Sequence, residues 1–371
     1  MRGGRAVLLA GAALGLAAFA AGCRPPPAMS ASPGLGACQH ATFIGTVSSP
    51  AIAVRWTSPD DRDDVEALVP WCRTVGPALV QAAPGHAAPA QVDSFAIISW
   101  NQHVGAGDLR RLVADLRRGA LTGGVPVDQF VLLLQEVYRG GALVPSDSAA
   151  VGPIPAGIRM APPDGGRRED VRELARDLGL SLFYAPSMRN GLEQTGEDPE
   201  DRGNAILSTM ALDSLRVVTL PFERERRAGL VATLRVPSGE PGHVPVRVAT
   251  VHLDVFPALL PSLLDGRRRI RQATAFASVL DSSAAPLLVG ADLNALSPGD
   301  PQVKYFRSRW PEIAPPAQCR SRGPFCSDYL FAGAMDPWDL GGYRILPDTY
   351  GSDHHPLVAL ATRRSAVALA R

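Results

Sequence analysis

The sequence predicts an α/β fold built on a mixed sheet with a polar rim along one edge. Two observations predict it. From residue 94 onward, short apolar runs alternate with helical patterns, as expected where strands and helices take turns along the chain. Ionisable and amide side chains also stand at the ends of those runs, where turns alone would ask only for Gly, Asn, Ser or Pro.

In chain order, the expected strands are FAIISW (95–100), FVLLLQ (130–135), LSLFYA (180–185), NAILST (204–209), LVATLRV (230–236), VRVATV (246–251), PLLVGA (286–291), DYLFAG (328–333) and PLVALA (356–361). Helical patterns cover 107–118, 168–178 and 267–280, and the Gly-, Pro- and Ser-rich segment 140–167 reads as a surface loop. Upstream, DRDDVEALVPWCRTV reads as a short helix in an extension that packs on the main body with Trp56 and Trp71.

The 371 residues hold one large domain or two ordinary ones. At 46% hydrophobic and 20% charged the chain can bury a core, and a net charge of +1 excludes a strong overall pull toward nucleic acid or acidic lipid. Lys304 is the sole lysine, so arginine runs reflect residue usage more than function. Arg224, Arg226 and Arg227 accordingly read as a solvated loop, and RRRIR at 267–271 as the start of a helix.

The polar rim carries the chemistry. Asn101, Glu136, His252 and the pair Asp292 and Asn294 follow strands, whereas Asn204, Asp328 and His354 open them. A strand of roughly 17–20 Å keeps its two ends apart, so these groups meet only if the second set of strands runs antiparallel to the first. Asn101, Glu136 and Asp292 are hard oxygen ligands suited to Mg²⁺ or Mn²⁺. Two histidines, His252 and His354, can hold a phosphoryl group and move protons, and Asp328 or Asp353 beside His354 would fix its tautomer and favour its charged form. His355 should face away, because neighbouring strand residues point to opposite sides.

The motifs SWNQH, LQEV, RGNAILS, TVHLD, GADLNA, SDYLF and SDHHP, in that order over residues 94 to 361, resemble the endonuclease/exonuclease/phosphatase superfamily of deoxyribonuclease I-like proteins. The resemblance implies a four-layer α/β sandwich, two mixed β-sheets packed face to face with helices outside, and Mg²⁺- (or Mn²⁺-) dependent hydrolysis of a phosphoester in nucleic acid, phospholipid or sugar phosphate. It implies that Glu136 is the principal metal ligand, with Asn101 and Asp353 at the metal site. Asp292 and Asn294 would orient the attacking water and contact the phosphate, and His252 would bind phosphate or donate a proton. Asp328 would orient the catalytic His354, Asn204 would order the site, and His103 would line it. The competing reading is a surface-binding lipoprotein that keeps the fold without catalysis; retention of the glutamate and the Asp–His pair favours the enzyme.

The N-terminus has its own logic. Arg2 and Arg5 precede Ala6 to Gly22, 17 apolar or small residues, which is short for a membrane span and typical of a secretory signal. Ala20-Ala21-Gly22-Cys23 resembles a bacterial lipobox, with Ala20 where Leu is preferred, so Cys23 is expected to carry lipid; the alternative is an ordinary leader with an unrelated cysteine. Cys38, Cys72, Cys319 and Cys326 remain, an even set that allows three pairings in an exported chain, of which 38–72 with 319–326 is the simplest. The expected organisation is a signal peptide (1–22), a lipidated, flexible tether (23–37), an N-terminal extension (38–93), the main domain (94–362) and a tail (363–371). The whole is expected to be a monomer held at the cell envelope.

Overall fold

The computed structural model describes residues 26–31, 33–44, 53–83, 89–145, 168–190, 199–239, 242–255, 262–280, 285–313 and 319–364. The leader, Cys23, most of the 140–167 segment and all of the tail but Arg363 and Arg364 lie outside them.

Among the described residues, fifteen strands form two sheets. The first contains β1 (Met29–Ser30), β3 (Arg55–Pro59), β9 (Leu212–Thr219), β10 (Ala228–Pro237), β11 (His243–His252), β12 (Leu287–Asp292) and β13 (Asp328–Ala332), in that spatial order. The second, in spatial order, contains β14 (Trp338–Ile345), β15 (Leu357–Arg363), β5 (Ser94–Asn101), β6 (Phe130–Gly140), β8 (Glu200–Ser208), β7 (Ser181–Asn190), β4 (Ala78–Gln81) and β2 (Ala41–Ile44). Both are mixed: β11 runs parallel to β12 and β5 to β6, whereas β12–β13, β15–β5 and β6–β8 are antiparallel.

The apolar runs are continuous because both faces of each sheet are covered. Ile97, Val131, Leu133 and Ile206 face Leu230, Ala232, Val248 and Leu288 across the space between the sheets. On the outer face of the second sheet, Ile98, Leu132 and Leu134 pack against Leu112 and Leu116 of α2 (Leu109–Arg117) and Leu174 of α3 (Val171–Leu178). On the outer face of the first, Val251 and Val289 pack against Phe276 of α4 (Ser262–Leu280) and Phe306 of α5 (Pro301–Arg309). Helix, sheet, sheet, helix: the fold is a four-layer α/β sandwich. Beneath the polar rim the sheets nearly touch. A Cβ added to Gly290 would lie 2.7 Å from both Leu133 Cβ and Ser99 Oγ.

Several expectations need correction. The tether ends earlier than residue 37, because Met29–Ser30 pairs with β3 and residues Pro33–Cys38 form a 3₁₀ turn that buries Leu35. The extension does more than pack on the body: it supplies β3, which β1 pairs with, to one sheet and β2 and β4 to the other. Its helix α1 (Arg62–Cys72) is tied by the Cys38–Cys72 disulfide and by ion pairing of Asp64 with Arg271 of α4. The other disulfide joins Cys319 to Cys326, so both local pairings hold. β9, β14 and α5 were not expected; their polar or Gly-interrupted sequences, such as WDLGGYRI, hide the period that marks a strand. Among the described residues no helix is long and apolar enough to cross a membrane.

Candidate active site

The register of the first sheet places three rim residues side by side. His252 ends β11 opposite Asp292, which ends β12, and Asp292 lies opposite Asp328, which opens β13. The antiparallel step between β12 and β13 is what brings a strand start level with two strand ends. The second sheet adds Asn101 from the end of β5 and Glu136 from β6.

Glu136 is not at the end of its strand, as the sequence implied, but within one that runs on to Gly140. A register shift between Leu134 and Val137 marks a β-bulge there, and Glu136 adopts a positive φ of 48°. Consecutive strand residues normally face opposite ways. Here the bulge turns both toward β11: Gln135 Nε2 donates to Thr250 Oγ1 at 2.9 Å, and Glu136 Oε1 lies 3.8 Å from His252 Nδ1. Such a residue in the left-handed region costs on the order of 1–3 kcal/mol and concentrates at working sites.

His354 is held from both sides. Its Nδ1 donates to Asp328 Oδ2 at 2.8 Å, and its Nε2 faces Asp292 Oδ2 at 3.9 Å and Asp353 Oδ1 at 3.8 Å. The turn that carries it is pinned to β5: Ser352 Oγ donates to Asn101 O at 2.7 Å, and Trp100 Nε1 donates to His354 O at 3.1 Å. Burial opposes the imidazolium charge, but Asp328 and Asp292 outweigh it and the group stays protonated up to about 9. Burial and the neighbouring Asp328 charge also push Asp292 up, from its ordinary 3.8 to about 6. The structure thus separates an acid from a base within 3.9 Å.

Asn101 braces Asp292: its Nδ2 donates to Asp292 Oδ2 at 2.8 Å, and its Oδ1 accepts from His103 N at 2.9 Å. Asn294, at φ 46°, donates its backbone N–H to Asp292 Oδ1 and its Nδ2 to Leu253 O, both at 2.8 Å. Asn204 is buried between the sheets, where its Nδ2 donates to Ala228 O at 2.5 Å. His355 faces away, with its Nδ1 donating to Leu346 O at 2.8 Å. At the mouth, Asp353 lies 3.5 Å from His103 Nδ1 and 2.8 Å from Arg322 Nη2.

His252, for which the resemblance implied phosphate binding or proton donation, sits uncharged. Burial, then the charges of Arg227 and His354, hold it well below its ordinary 6.5, so the ring is neutral. Arg227 Nη1 lies 3.1 Å from one ring nitrogen and 3.5 Å from the other, a near-equality that puts it over the ring face instead of in the ring plane.

Arg227 and Arg226 overturn the solvated-loop expectation. Asp254 Oδ2 accepts the backbone N–H groups of Arg224 and Glu225 at 2.8 and 3.3 Å, which folds the loop inward. Arg226 is then buried against the carbonyls of Pro186 and Ser187, and Arg227 pairs with Glu225 at 2.8 Å. Their sequence signal was weak, because arginine runs here occur in exposed and buried places alike. Arg322 was also missed, and only its place directly after Ser321 in a disulfide-closed turn marks it.

The donor set fits a hard divalent cation. The Glu136 carboxylate, with only 13% of its side chain exposed, accepts no hydrogen bond among the described residues. The charges of Arg202 and Arg322 reach it, but no described donor occupies its oxygens, which leaves them open to Mg²⁺ or Mn²⁺. Asp292, Asp328 and His354 also bring ligand atoms within 4.8 Å of one another. With its ring charged, His354 would have no lone pair to offer a metal there.

No family model and no curated protein matches the sequence. Among solved structures, the human Nocturnin catalytic domain with bound sulfate aligns at TM-score 0.47 and 16% identity, over 73% of this chain and 95% of that one. An endonuclease/exonuclease/phosphatase from Beutenbergia cavernae aligns at TM-score 0.47 and 22% identity, over 74% and 73%. Sphingomyelinase C from Streptomyces griseocarneus aligns at TM-score 0.43 and 15% identity, over 73% and 100%.

Proposed function

We propose that the chain is a divalent-metal-dependent phosphoester hydrolase of the endonuclease/exonuclease/phosphatase type. The observation that carries this reading is the buried Asp328–His354–Asp292 row, an imidazolium held to about 9 beside a carboxylate raised to about 6. Near neutral pH both groups are in the states that hydrolysis needs.

Glu136 would hold the cation, with Asn101 and Asp353 beside it. When bound, the cation neutralises and polarises the phosphoryl oxygens. The chain's own residues do the rest. Asp292, fixed by Asn101 and by the Asn294 backbone, takes a proton from the attacking water. His354, oriented by Asp328, donates its Nε2 proton to the leaving oxygen. Asp292 then returns its proton to His354 across the 3.9 Å between them, which resets both groups. His252 stays neutral, so it adds no charge that would compete with the cation.

The reading is tested on duplex DNA, RNA, sphingomyelin and phosphoinositides, each with and without Mg²⁺. It expects hydrolysis of at least one class, abolished by EDTA; folded, metal-loaded protein inert on all of them would overturn it.

We also propose export to the cell envelope with a lipid on Cys23, supported by the leader composition and by two disulfides of a kind that persists in oxidising compartments. Detergent partitioning of the mature protein should be lost in Cys23→Ser. Equal solubility of the two forms would contradict the anchor.

A further inference from the structure

The turn ahead of Asp328 is built with more fastenings than a connection needs. Residues 319–326, CRSRGPFC, are closed by the Cys319–Cys326 disulfide. Within the turn Arg322 and Phe325 exchange backbone hydrogen bonds of 3.2 and 2.9 Å, with Gly323 between them at φ +53°. Fully buried Ser321 ties the turn down. Its Oγ accepts the N–H groups of Ser327 and Asp328 at 3.0 Å each, and its carbonyl accepts His355 N at 2.7 Å. The turn is therefore fastened to Asp328 and to His355, the residue after His354.

What this turn delivers is Arg322. Its side chain is 43% exposed, and one nitrogen, Nη2, contacts Asp353 Oδ2 at 2.8 Å. No other protein acceptor meets the guanidinium among the described residues. Five N–H donors in a planar fork leave most of that fork open. Asp353 lies in turn 3.8 Å from His354 Nε2, which sets the guanidinium beside the reaction centre. A partly exposed ion pair with Asp353 alone adds little to stability, too little to explain so firm a mounting.

We propose that Arg322 is a substrate-contacting residue whose open N–H groups grip a non-bridging oxygen of the phosphoryl group, and that the Cys319–Cys326 bond keeps it aimed. The inference rests on the phosphoester reading above. A planar fork suits a phosphoryl oxygen pair better than a point charge does. Arg226 and Arg227 are buried and already committed to protein acceptors, which leaves Arg322 to meet an incoming anion at the mouth.

The test uses inorganic phosphate as the probe, followed by calorimetry, together with KM and kcat on whichever phosphoester is hydrolysed. The proteins are wild type, Arg322→Ala, Arg322→Lys and the paired variant Cys319→Ser/Cys326→Ser, with thermal melts to confirm folding. Loss of a charge-assisted contact should weaken phosphate binding and raise KM roughly tenfold or more in Arg322→Ala, with kcat changing less. Arg322→Lys should recover part of the loss. The serine pair should match Arg322→Ala, and combining the two should add little.

Wild-type KM and phosphate affinity in Arg322→Ala would overturn the contact, as would wild type that binds no phosphate. Wild-type KM in a folded serine pair would overturn the tether. Arg322-dependent phosphate binding without hydrolysis of any ester would sink the hydrolase reading and leave the contact standing. Hydrolysis with an Arg322-independent KM would do the reverse.

Discussion

Asp328→Asn keeps the shape of the row beneath His354 and removes its charge. Burial is the largest influence on His354, and it favours the neutral ring. Asp328 opposes it twice, by charge and by hydrogen bond, and Asp292 and Asp353 add smaller support. With Asp328 neutral, we expect His354 to fall from about 9 to near its ordinary 6.5. At pH 7.5 a group titrating at about 9 is charged in roughly 97% of molecules, and one titrating near 6.5 in about 10%. That population change alone lowers kcat about tenfold, and an asparagine that selects the other tautomer lowers it further. The assay is the kcat–pH profile on a phosphodiester, paired with the NMR titration of the His354 ring. The alkaline limb should move from about 9 to near 6.5. An alkaline limb that stays where wild type has it would refute the reasoning. Because the two residues act as one unit, adding Asp328→Asn to His354→Ala should cost little more than His354→Ala alone.

Other perturbations test separate links. Asn101→Ala removes a hydrogen bond that lowers Asp292, so the acidic limb of kcat/KM should move above about 6; an unmoved limb would show that Asn101 does not brace the base. Asp292 titrates in the folded chain above its ordinary 3.8, so its contribution to stability is complete below 3.8 and is lost as pH rises through about 6. Metal-free Asp292→Asn should therefore gain more in Tm over wild type at pH 8 than at pH 4, and equal differences at both would contradict the raised value. Gly290→Ala would place a methyl 2.7 Å from Leu133 Cβ and Ser99 Oγ, and such overpacking should cost about 1–3 kcal/mol in urea unfolding; an unchanged midpoint would show that the sheets can part freely.

Most of the rim was legible because it obeys a local rule. His252, Asp292, Asp328 and Asn101 each sit at the end of an apolar run, and once strand directions are set the register must gather them. The α/β alternation was equally local. What escaped depends on contacts between distant segments. The bulge that turns Glu136 toward β11 leaves no mark in LQEV, so its placement mid-strand could not be read. Arg226 and Arg227 look like solvent-facing charges until Asp254, some thirty residues on, folds their loop inward. Met29–Ser30 looks like tether until β3 offers it an edge to pair with. The neutrality of His252 follows first from its burial and then from the charges of Arg227 and His354, which no local pattern announces.

The central claim is that Glu136 supplies the charge that holds a cation at a phosphoester-cleaving centre. It is tested most directly by titrating Mg²⁺ into EDTA-stripped protein while following phosphoester hydrolysis, for wild type and Glu136→Gln in parallel. The substitution keeps the side-chain shape and removes one negative charge from a carboxylate that accepts no hydrogen bond among the described residues. Wild type should be silent without metal and regain activity as Mg²⁺ is added, while Glu136→Gln should need at least about tenfold more Mg²⁺ and stay slower at saturation. Activity in wild type that ignores EDTA, or a Glu136→Gln curve that overlays the wild-type one, would contradict the account.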